Sequence, residues 1–311
     1  MIKNILVTGG SGFIGSNLVD FLINQDYNVF VIDDLSTGLE TNQNKKATYF
    51  KRDIIDFIDD ADIIKRYLLD NKIDAVFHLA ASADIFLSIN YPEKVYKINL
   101  NASISILNAC QDTHVKKFIF SSTSAVYGEP RILPVREDAS TNPISPYGLS
   151  KLAFEQYLDF FTLNSSIDFL TFRFPNVYGF RQRSDLEGGV VAIFEEAMKK
   201  NHQIKIFGDG NQTRDWVDVS DIVNALYLGM LSNNKSEVIN LGSGKQTSLL
   251  MLFKHLSHEF QYKQEPLFLD EREGDIKHMV MDTKRALKSI NWEAKLTIEE
   301  GIKKLIKKEK N

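Results

Sequence analysis

A tyrosine and a lysine four residues apart are the pair in this sequence best suited to proton chemistry. Tyr147 and Lys151 belong to SPYGLSK, which runs into a segment whose apolar residues recur at helical spacing. Residues i and i+4 lie on one face of a helix, so the ammonium can lie close to the phenol. A nearby positive charge favours the phenolate and lowers the tyrosine pKa from its usual value of about 10. Tyr147 is therefore a candidate general base for a sugar or alcohol hydroxyl. Alone, this spacing also fits an ordinary helix face, so the surrounding elements decide.

A glycine-rich turn near the N-terminus predicts a dinucleotide site. A short apolar strand runs into TGGSGFIGS, where Gly10, Gly12 and Gly15 fit the G-x-G-x-x-G fingerprint. Gly9 adds a second, overlapping spacing, G-x-x-G-x-x-G. Glycines at these positions let the backbone turn tightly and approach a pyrophosphate, whose charge is stabilised at the following helix N-terminus.

The second predicted strand indicates which dinucleotide binds. It spans YNVFVID and ends at Asp33, eighteen residues after Gly15. An acidic residue near that spacing accepts hydrogen bonds from the adenosine ribose hydroxyls and repels a 2′-phosphate. No arginine stands nearby in the sequence to bind such a phosphate. We therefore expect NAD rather than NADP.

Strands and helices alternate along the first part of the chain. Further strands are predicted at 48–53, 74–81, 116–122 and 168–174, with helices at 62–71 and 93–112. This alternation predicts an α/β fold with a Rossmann-type, doubly wound parallel sheet. Ligands of such sheets bind at the carboxyl ends of the strands. Six residues suited to ligand contact fall near that edge: Gly15, Asp33, Asp53, Ala80, Ser121 and Thr123.

The pattern changes after residue 175, where loops become more frequent. Later elements are predicted as a helix at 216–230, a strand at 237–242, a helix near 248–260 and a closing helix at 297–310. Thr297 and Glu300 can form a capping box at the start of the closing helix. We expect an NAD-binding domain over 1–175, with a returning segment near 215–242. A smaller α/β C-terminal substrate-binding lobe would cover 176–311.

Composition argues against several classes of function. A net charge of −4 without a basic stripe gives no reason to expect nucleic-acid binding. No apolar run reaches the roughly 18 residues of a membrane span, and no signal peptide precedes the first strand. Cys110 is the only cysteine and cannot form an internal disulfide, which fits a reducing compartment. We expect a cytoplasmic enzyme without a metal site, in which Cys110 and His78 are structural.

Motifs spread over nearly the whole chain resemble one family. In order they are TGGSGFIGS, DDLSTG, HLAA, SSTSAVYG, PISPYGLSK, RFPNVYG, GDGNQTRDWV and REGD. The chain is thereby identified as a member of the extended short-chain dehydrogenases/reductases that act on nucleotide sugars, and it most resembles the UDP-glucose (UDP-galactose) 4-epimerase group. The resemblance implies NAD-dependent epimerisation at C4 of a UDP-sugar through a 4-keto intermediate, with NAD retained during turnover. It also implies a homodimer packed through helices near 93–112 and 148–163.

The same resemblance implies roles for individual residues. Tyr147 would be the acid/base, Lys151 would hold the nicotinamide ribose, and Thr123 would hydrogen-bond the reacting sugar oxygen. The implied NAD site comprises Gly9, Gly12, Phe13, Ile14, Gly15, Asp33, Asp34, Ser36, Gly38, Asp53, Ile54, Leu79, Ala80, Ala81, Asn99, Ser121, Tyr147, Lys151 and Pro175. The implied nucleotide-sugar site comprises Thr123, Asn176, Gly189, Val190, Arg214, Arg272 and Met279. The two arginines also suit a pyrophosphate because their planar cations donate two hydrogen bonds at once.

Several alternatives share this fold. Related dehydratases and decarboxylases carry TDEVYG and TSEVYG, whereas this chain has TSAVYG at 123–128. Ser124 and Ala125 cannot supply the extra acid and base, which favours epimerisation. A non-catalytic NAD-binding protein would tend to lose the threonine, tyrosine or lysine, and all three are present. UDP-N-acetylglucosamine and UDP-glucuronate stay open as substrates, because Met279, expected beside the sugar 2-substituent, is flexible and intermediate in size.

Overall fold

The computed structural model describes residues 2–162, 165–186, 189–272 and 276–309. Its strands in chain order are β1 (Asn4–Thr8), β2 (Asn28–Asp33), β3 (Thr48–Lys51), β4 (Ala75–His78), β5 (Lys117–Thr123), β6 (Asp168–Phe174), β7 (Asn176–Tyr178), β8 (Lys205–Phe207), β9 (Thr213–Arg214), β10 (Trp216–Asp218), β11 (Glu237–Asn240), β12 (Thr247–Ser248) and β13 (Leu267–Leu269).

Its helices complete the alternation. They are α1 (Phe13–Asn24), α2 (Asp56–Asp59), α3 (Ala61–Asp70), α4 (Ile85–Asn90), α5 (Pro92–Tyr96), α6 (Ser103–Gln111), α7 (Pro146–Thr162), α8 (Val190–Lys199), α9 (Val219–Leu231), α10 (Leu249–Phe260), α11 (Lys284–Ile290) and α12 (Ile298–Glu309).

Seven parallel strands form the central sheet, in the order β11-β6-β5-β4-β1-β2-β3. The strand order reverses between β1 and β4, so the connections that leave these two strands run to opposite faces of the sheet and a crevice opens between them. Ile5, Leu6 and Val7 are fully buried because helices cover both faces of the sheet. Helices α1, α9 and α11 pack on one face and α3, α6 and α7 on the other. The predicted Rossmann-type α/β fold is confirmed.

Two element predictions need correction. The helix predicted at 216–230 begins only at Val219, because Trp216–Asp218 form β10, which pairs with β7. Asp218 ends this strand and caps α9 by accepting a hydrogen bond from the Ser220 N–H. The helix predicted at 93–112 is interrupted by a π-helical turn at Lys97–Ala102. Such turns occur often at functional sites.

A smaller layer of helices forms the core of the C-terminal part of the chain. Phe194 on α8, Leu252 on α10 and Ile302 on α12 belong to one buried cluster. The predicted capping box of α12 is confirmed: the Thr297 N–H donates to the Glu300 carboxylate at 2.9 Å, and the Glu300 N–H to the Thr297 hydroxyl at 3.3 Å.

Two residues expected to be structural are fully buried. Burial raises the pKa of the Cys110 thiol well above its usual range. His78 contacts the Thr8 hydroxyl through Nδ1 and the Ser103 hydroxyl through Nε2, each at 2.8 Å.

Within the described part of the chain, no helix combines the length and apolar character that crossing a membrane requires.

Candidate active site

A cavity of about 740 Å³ opens at the carboxyl ends of the central strands. Most of the residues expected to contact ligand line its wall: Gly9, Gly12, Phe13, Ile14, Gly15, Asp33, Asp34, Ser36, Asp53, Ile54, Leu79, Ala80, Ala81, Ser121, Thr123, Tyr147, Lys151, Pro175, Asn176 and Gly189. The sheet thus brings together residues that are up to 180 positions apart in the chain, from Gly9 to Gly189.

Two positions of the glycine turn at one end of the cavity, Gly9 and Gly15, exclude a side chain. A Cβ at Gly15 would lie 2.1 Å from the Gly9 carbonyl oxygen, and Gly9 itself has a φ of +72°. Gly12 precedes α1, and no described side chain caps the first turn of that helix. The backbone N–H groups in the first turn of α1 therefore remain available to an anion at the cavity wall. This geometry fits the pyrophosphate of a dinucleotide.

Asp33 lies at the end of β2 with both carboxylate oxygens oriented by the backbone. Oδ2 accepts from the Ser11 N–H and Oδ1 from the Leu35 N–H, each at 2.8 Å. Burial raises the pKa of Asp33, and these two bonds oppose that rise. Gly38 is buried beside it, where a Cβ would lie 2.7 Å from Oδ1. The fixed carboxylate suits a ribose diol.

No arginine stands near Asp33 in the sequence, but the fold brings three arginines to the cavity that Asp33 lines. Arg183 Nη1 donates to the Thr37 carbonyl at 2.8 Å, in the loop that follows Asp33. Arg52 and Arg181 also line the cavity. Arg183 is 146 positions from Thr37, so local sequence could not show it. A preference for NAD therefore rests on the Asp33 carboxylate.

The three candidate catalytic residues converge on this cavity. Tyr147 and Lys151 lie in the first two turns of α7, and Thr123 ends β5. The side chains of Thr123 and Tyr147 are hydrogen-bonded. Lys151 Nζ donates to the Ser121 carbonyl at 2.8 Å and lies 4.7 Å from the centroid of the Phe120 ring.

Burial moves the pKa values of this pair apart. It raises the pKa of Tyr147 above its usual value, and the hydrogen bond to Thr123 only partly offsets that rise. It lowers the pKa of Lys151 to about 7, against an opposing effect of Glu155. The prediction that the tyrosine pKa lies below its usual value is therefore wrong for this geometry. The cost of burying either charge exceeds the stabilisation that the pair provides.

A buried ion pair lies one helical turn beyond Lys151, and sequence reasoning missed it. Arg173 Nη2 contacts the Glu155 carboxylate at 2.6 Å, and Nη1 donates to the Tyr127 hydroxyl at 2.7 Å. The Ser122 hydroxyl also donates to Glu155. This network joins α7, β6 and the end of β5 behind the catalytic residues. The sequence carried one signal of this ion pair: Glu155 is an acidic residue on the apolar face of the helix, four residues after Lys151.

A second cavity of about 150 Å³ lies in the C-terminal part of the chain. Phe207 and Arg272 line it, with the guanidinium carbon of Arg272 3.8 Å from the centroid of the Phe207 ring. The same guanidinium lies 5.3 Å from the Phe86 ring of α4. The remaining three residues of REGD, 273–275, lie outside the described residues.

Five expected contact residues line neither cavity. Asn99 is buried in the π-helical turn, where its side chain bonds both the N–H and the carbonyl of Ser82. Gly38 packs against Asp33. Val190 begins α8, and Arg214 lies in β9 with Nη1 donating to the Thr213 carbonyl at 3.0 Å. Met279 is 2% exposed, in a cluster with Val126, Tyr127 and Leu152.

Comparison with known proteins agrees with this geometry. The model of the NAD dependent epimerase/dehydratase family matches residues 5–242. The chain is 40% identical to a putative UDP-glucose 4-epimerase of Methanocaldococcus jannaschii, over 99% of this chain and 98% of that protein.

Two solved structures superpose on nearly the whole chain. A UDP-glucose 4-epimerase of Thermotoga maritima with UDP-glucose matches with a TM-score of 0.95 and 40% identity, over 99% of both chains. A UDP-N-acetylglucosamine 4-epimerase of Methanobrevibacter ruminantium in complex with UDP-N-acetylmuramic acid matches with a TM-score of 0.90 and 36% identity, also over 99% of both.

Proposed function

The chain belongs to the NAD-dependent epimerase/dehydratase family, and we propose that it is a UDP-sugar 4-epimerase of the UDP-glucose/UDP-galactose type. One observation carries the proposal: Thr123, Tyr147 and Lys151 share a single cavity with the glycine turn and Asp33. The Thr123 hydroxyl and the Tyr147 phenol are hydrogen-bonded to each other. A substrate oxygen placed beside them can therefore exchange a proton with the phenol.

The cavity residues fit NAD. The uncapped start of α1 suits the pyrophosphate, and the Asp33 carboxylate suits the adenosine ribose. Asp53 and Ile54 would border the adenine, with Lys151 and Pro175 near the nicotinamide. Once bound there, NAD supplies hydride acceptance and donation.

Tyr147 carries the proton chemistry in this proposal. Its phenolate oxygen removes the proton of the sugar 4-hydroxyl and later returns it, while the Thr123 hydroxyl hydrogen-bonds the same sugar oxygen. In this proposal Lys151 lies beside the nicotinamide ribose, and its positive charge, when present, favours the phenolate over the phenol. Ala125, which follows Thr123 in a short 3₁₀ turn, offers no second proton-transfer group. This supports epimerisation over dehydration.

The nucleotide half of the substrate would extend toward the second cavity. Phe207 offers a flat ring, and Arg272 and Arg214 offer planar cations suited to a diphosphate. Asn176 and Gly189 line the first cavity on its C-terminal side. The sugar would therefore project from this side toward Tyr147. Val190 and Met279 would act by packing behind that surface.

UDP-N-acetylglucosamine is the second candidate substrate. The relative from Methanobrevibacter ruminantium, named for that substrate, aligns over 99% of the chain. Met279 also has three rotatable bonds and could make room for an N-acetyl group.

We also propose two lobes and a cytoplasmic homodimer. Residues 1–175 with α9 and β11 would bind NAD, and the rest of 176–311 would bind the nucleotide sugar.

On α7, Leu149 is 46% and Phe160 66% exposed, three helical turns apart on one face. A second copy of the chain would cover this apolar face. The buried thiol of Cys110 fits a reducing compartment.

The experiment that tests the function is direct. Purified protein is incubated separately with UDP-glucose, UDP-N-acetylglucosamine and UDP-glucuronate, without added NAD, and the products are separated. We expect UDP-glucose to yield UDP-galactose, and conversion of UDP-N-acetylglucosamine would support the second candidate. Absence of conversion of all three, also after NAD is added, would overturn the proposed reaction.

A further inference from the structure

Residues 180–185 form a bridge along the rim of the large cavity. Two contacts join the start of this segment to α1: Asn17 Nδ2 donates to the Phe180 carbonyl at 2.9 Å, and Arg181 forms an ion pair with Asp20 at 2.9 Å. The segment follows β7 and leads to the C-terminal part of the chain, so these contacts tie that part to the first helix of the glycine turn.

The far end of the segment closes on the other side of the same cavity. Arg183 Nη1 donates to the Thr37 carbonyl at 2.8 Å, in the loop that follows β2 and Asp33. Both Thr37 and Arg183 line the cavity that contains Gly12 and Asp33. Their hydrogen bond is therefore a piece of the cavity wall that joins two sides of the site.

The Arg183 guanidinium is held in the orientation that this contact needs. Its Nε donates to Asp185 Oδ1 at 2.8 Å and its Nη2 to Oδ2 at 2.5 Å. A two-point bond of this kind fixes the plane of the guanidinium, which leaves Nη1 directed at the Thr37 carbonyl. The neighbouring Ser184 hydroxyl donates to Glu196 of α8, so the segment is also anchored on its C-terminal side.

We propose that residues 180–185 are a clasp that retains the dinucleotide, with Arg183 as its closing residue. A dinucleotide held between the glycine turn and Asp33 lies on the cavity side of this bridge, and its release requires the Arg183–Thr37 contact to open. The inference rests on the proposed function for the identity of the cofactor. The clasp would explain why NAD, which ends each catalytic cycle unchanged, stays bound between cycles.

The test measures cofactor release rather than turnover. Wild type, Arg183→Ala and Asp185→Asn are loaded with isotopically labelled NAD, and loss of label is followed in excess unlabelled NAD. We expect Arg183→Ala to release NAD about tenfold faster than wild type. A factor of this size corresponds to the loss of roughly one charge-assisted hydrogen bond. Asp185→Asn should also accelerate release, because Arg183 loses its two-point orientation.

Arg136→Ala is the matched control. Arg136 pairs with Asp138 at the same two-residue spacing, at 3.1 Å, but it lines neither cavity. Its release rate should equal that of wild type. Equal release rates for wild type and both clasp variants would overturn the proposal, as would a wild-type protein that binds no NAD.

The same preparations separate this inference from the proposed reaction. Faster NAD release from the clasp variants, together with no conversion of any UDP-sugar by wild type, would support the clasp and overturn the reaction. Conversion of UDP-glucose with unchanged NAD release would overturn the clasp and leave the reaction standing.

Discussion

At the scale of single residues, burial rather than sequence spacing sets the proton affinities in the site. Tyr147 and Lys151 have the spacing expected of a catalytic pair, yet both charged forms are disfavoured because the two side chains are desolvated. The lysine is bonded to the Ser121 carbonyl and faces the Phe120 ring, contacts that i,i+4 spacing does not reveal. The sequence could therefore predict which residues meet but not their pKa values.

His78 shows the same effect at the base of the site. The Ser103 hydroxyl donates to the Asn99 carbonyl at 2.7 Å, so its oxygen accepts from His78 Nε2. Nδ1 then accepts from the Thr8 hydroxyl, which makes the neutral Nε2–H tautomer the satisfied form. Burial and the positive charge of Lys151 lower the pKa of His78 to about 3.

This histidine should make the protein sensitive to mild acid. Its folded-state pKa lies below the usual 6.5, so between pH 6.5 and 3 the unfolded chain binds more protons and stability falls as pH falls. From pH 7 to 5 we expect His78 to account for a loss of about 2 kcal/mol in the free energy of unfolding. Urea unfolding of wild type and His78→Gln at several pH values measures this difference. Parallel pH curves for the two proteins would refute it.

At the scale of elements, α7 carries the site and ties it to the sheet. Tyr147, Lys151 and Glu155 are spaced by four residues and share one face of this helix, on which Lys151 and Glu155 are buried. The last of them pairs with Arg173 on β6, and both side chains are less than 10% exposed. Removing one member of a buried ion pair leaves the other charge desolvated and unpaired, which is strongly destabilising.

Glu155→Gln should therefore lower the free energy of unfolding by about 3 kcal/mol. Asp138→Asn, which breaks the exposed pair with Arg136, should leave it nearly unchanged. Urea unfolding of the three proteins at pH 7 provides the comparison. Similar stabilities for both variants would mean that the buried network contributes little to the fold.

Elements that depend on local pattern were predictable, and contacts that depend on distant segments were not. The glycine turn between β1 and α1 follows from its spacing, and the structure shows a backbone approach at Gly15 that admits no side chain. By contrast, Trp216–Asp218 has helical-looking sequence but forms β10, because β7 lies beside it. The approach of Arg183 to Thr37 likewise depends on tertiary packing alone.

At the scale of the whole molecule, the exposed apolar face of α7 is the feature that a second copy would explain. Leu149 and Phe160 lie on this face, whereas Phe154 and Leu158 of the same helix are buried in the core. Exposed apolar patches of this kind often mark protein interfaces.

Phe160→Glu should convert the proposed homodimer to monomers, because it places a charge in the apolar contact. Sedimentation of wild type and variant at the same concentration measures the change in mass. Phe268→Glu is a suitable control, since Phe268 is 49% exposed and belongs to β13 rather than to α7. A monomeric wild type, or a variant that remains dimeric, would contradict the proposed interface.

We propose that Tyr147 performs the proton transfer of a UDP-sugar 4-epimerase. The most direct measurement compares wild type, Tyr147→Phe and Tyr157→Phe, a control that removes one hydroxyl from the same helix. For each, conversion of UDP-glucose to UDP-galactose is followed without added NAD, and the NAD bound per chain is determined. We predict that wild type and Tyr157→Phe convert the substrate, while Tyr147→Phe is about 10²- to 10⁴-fold slower yet keeps its NAD. Conversion by Tyr147→Phe at the wild-type rate would contradict the account.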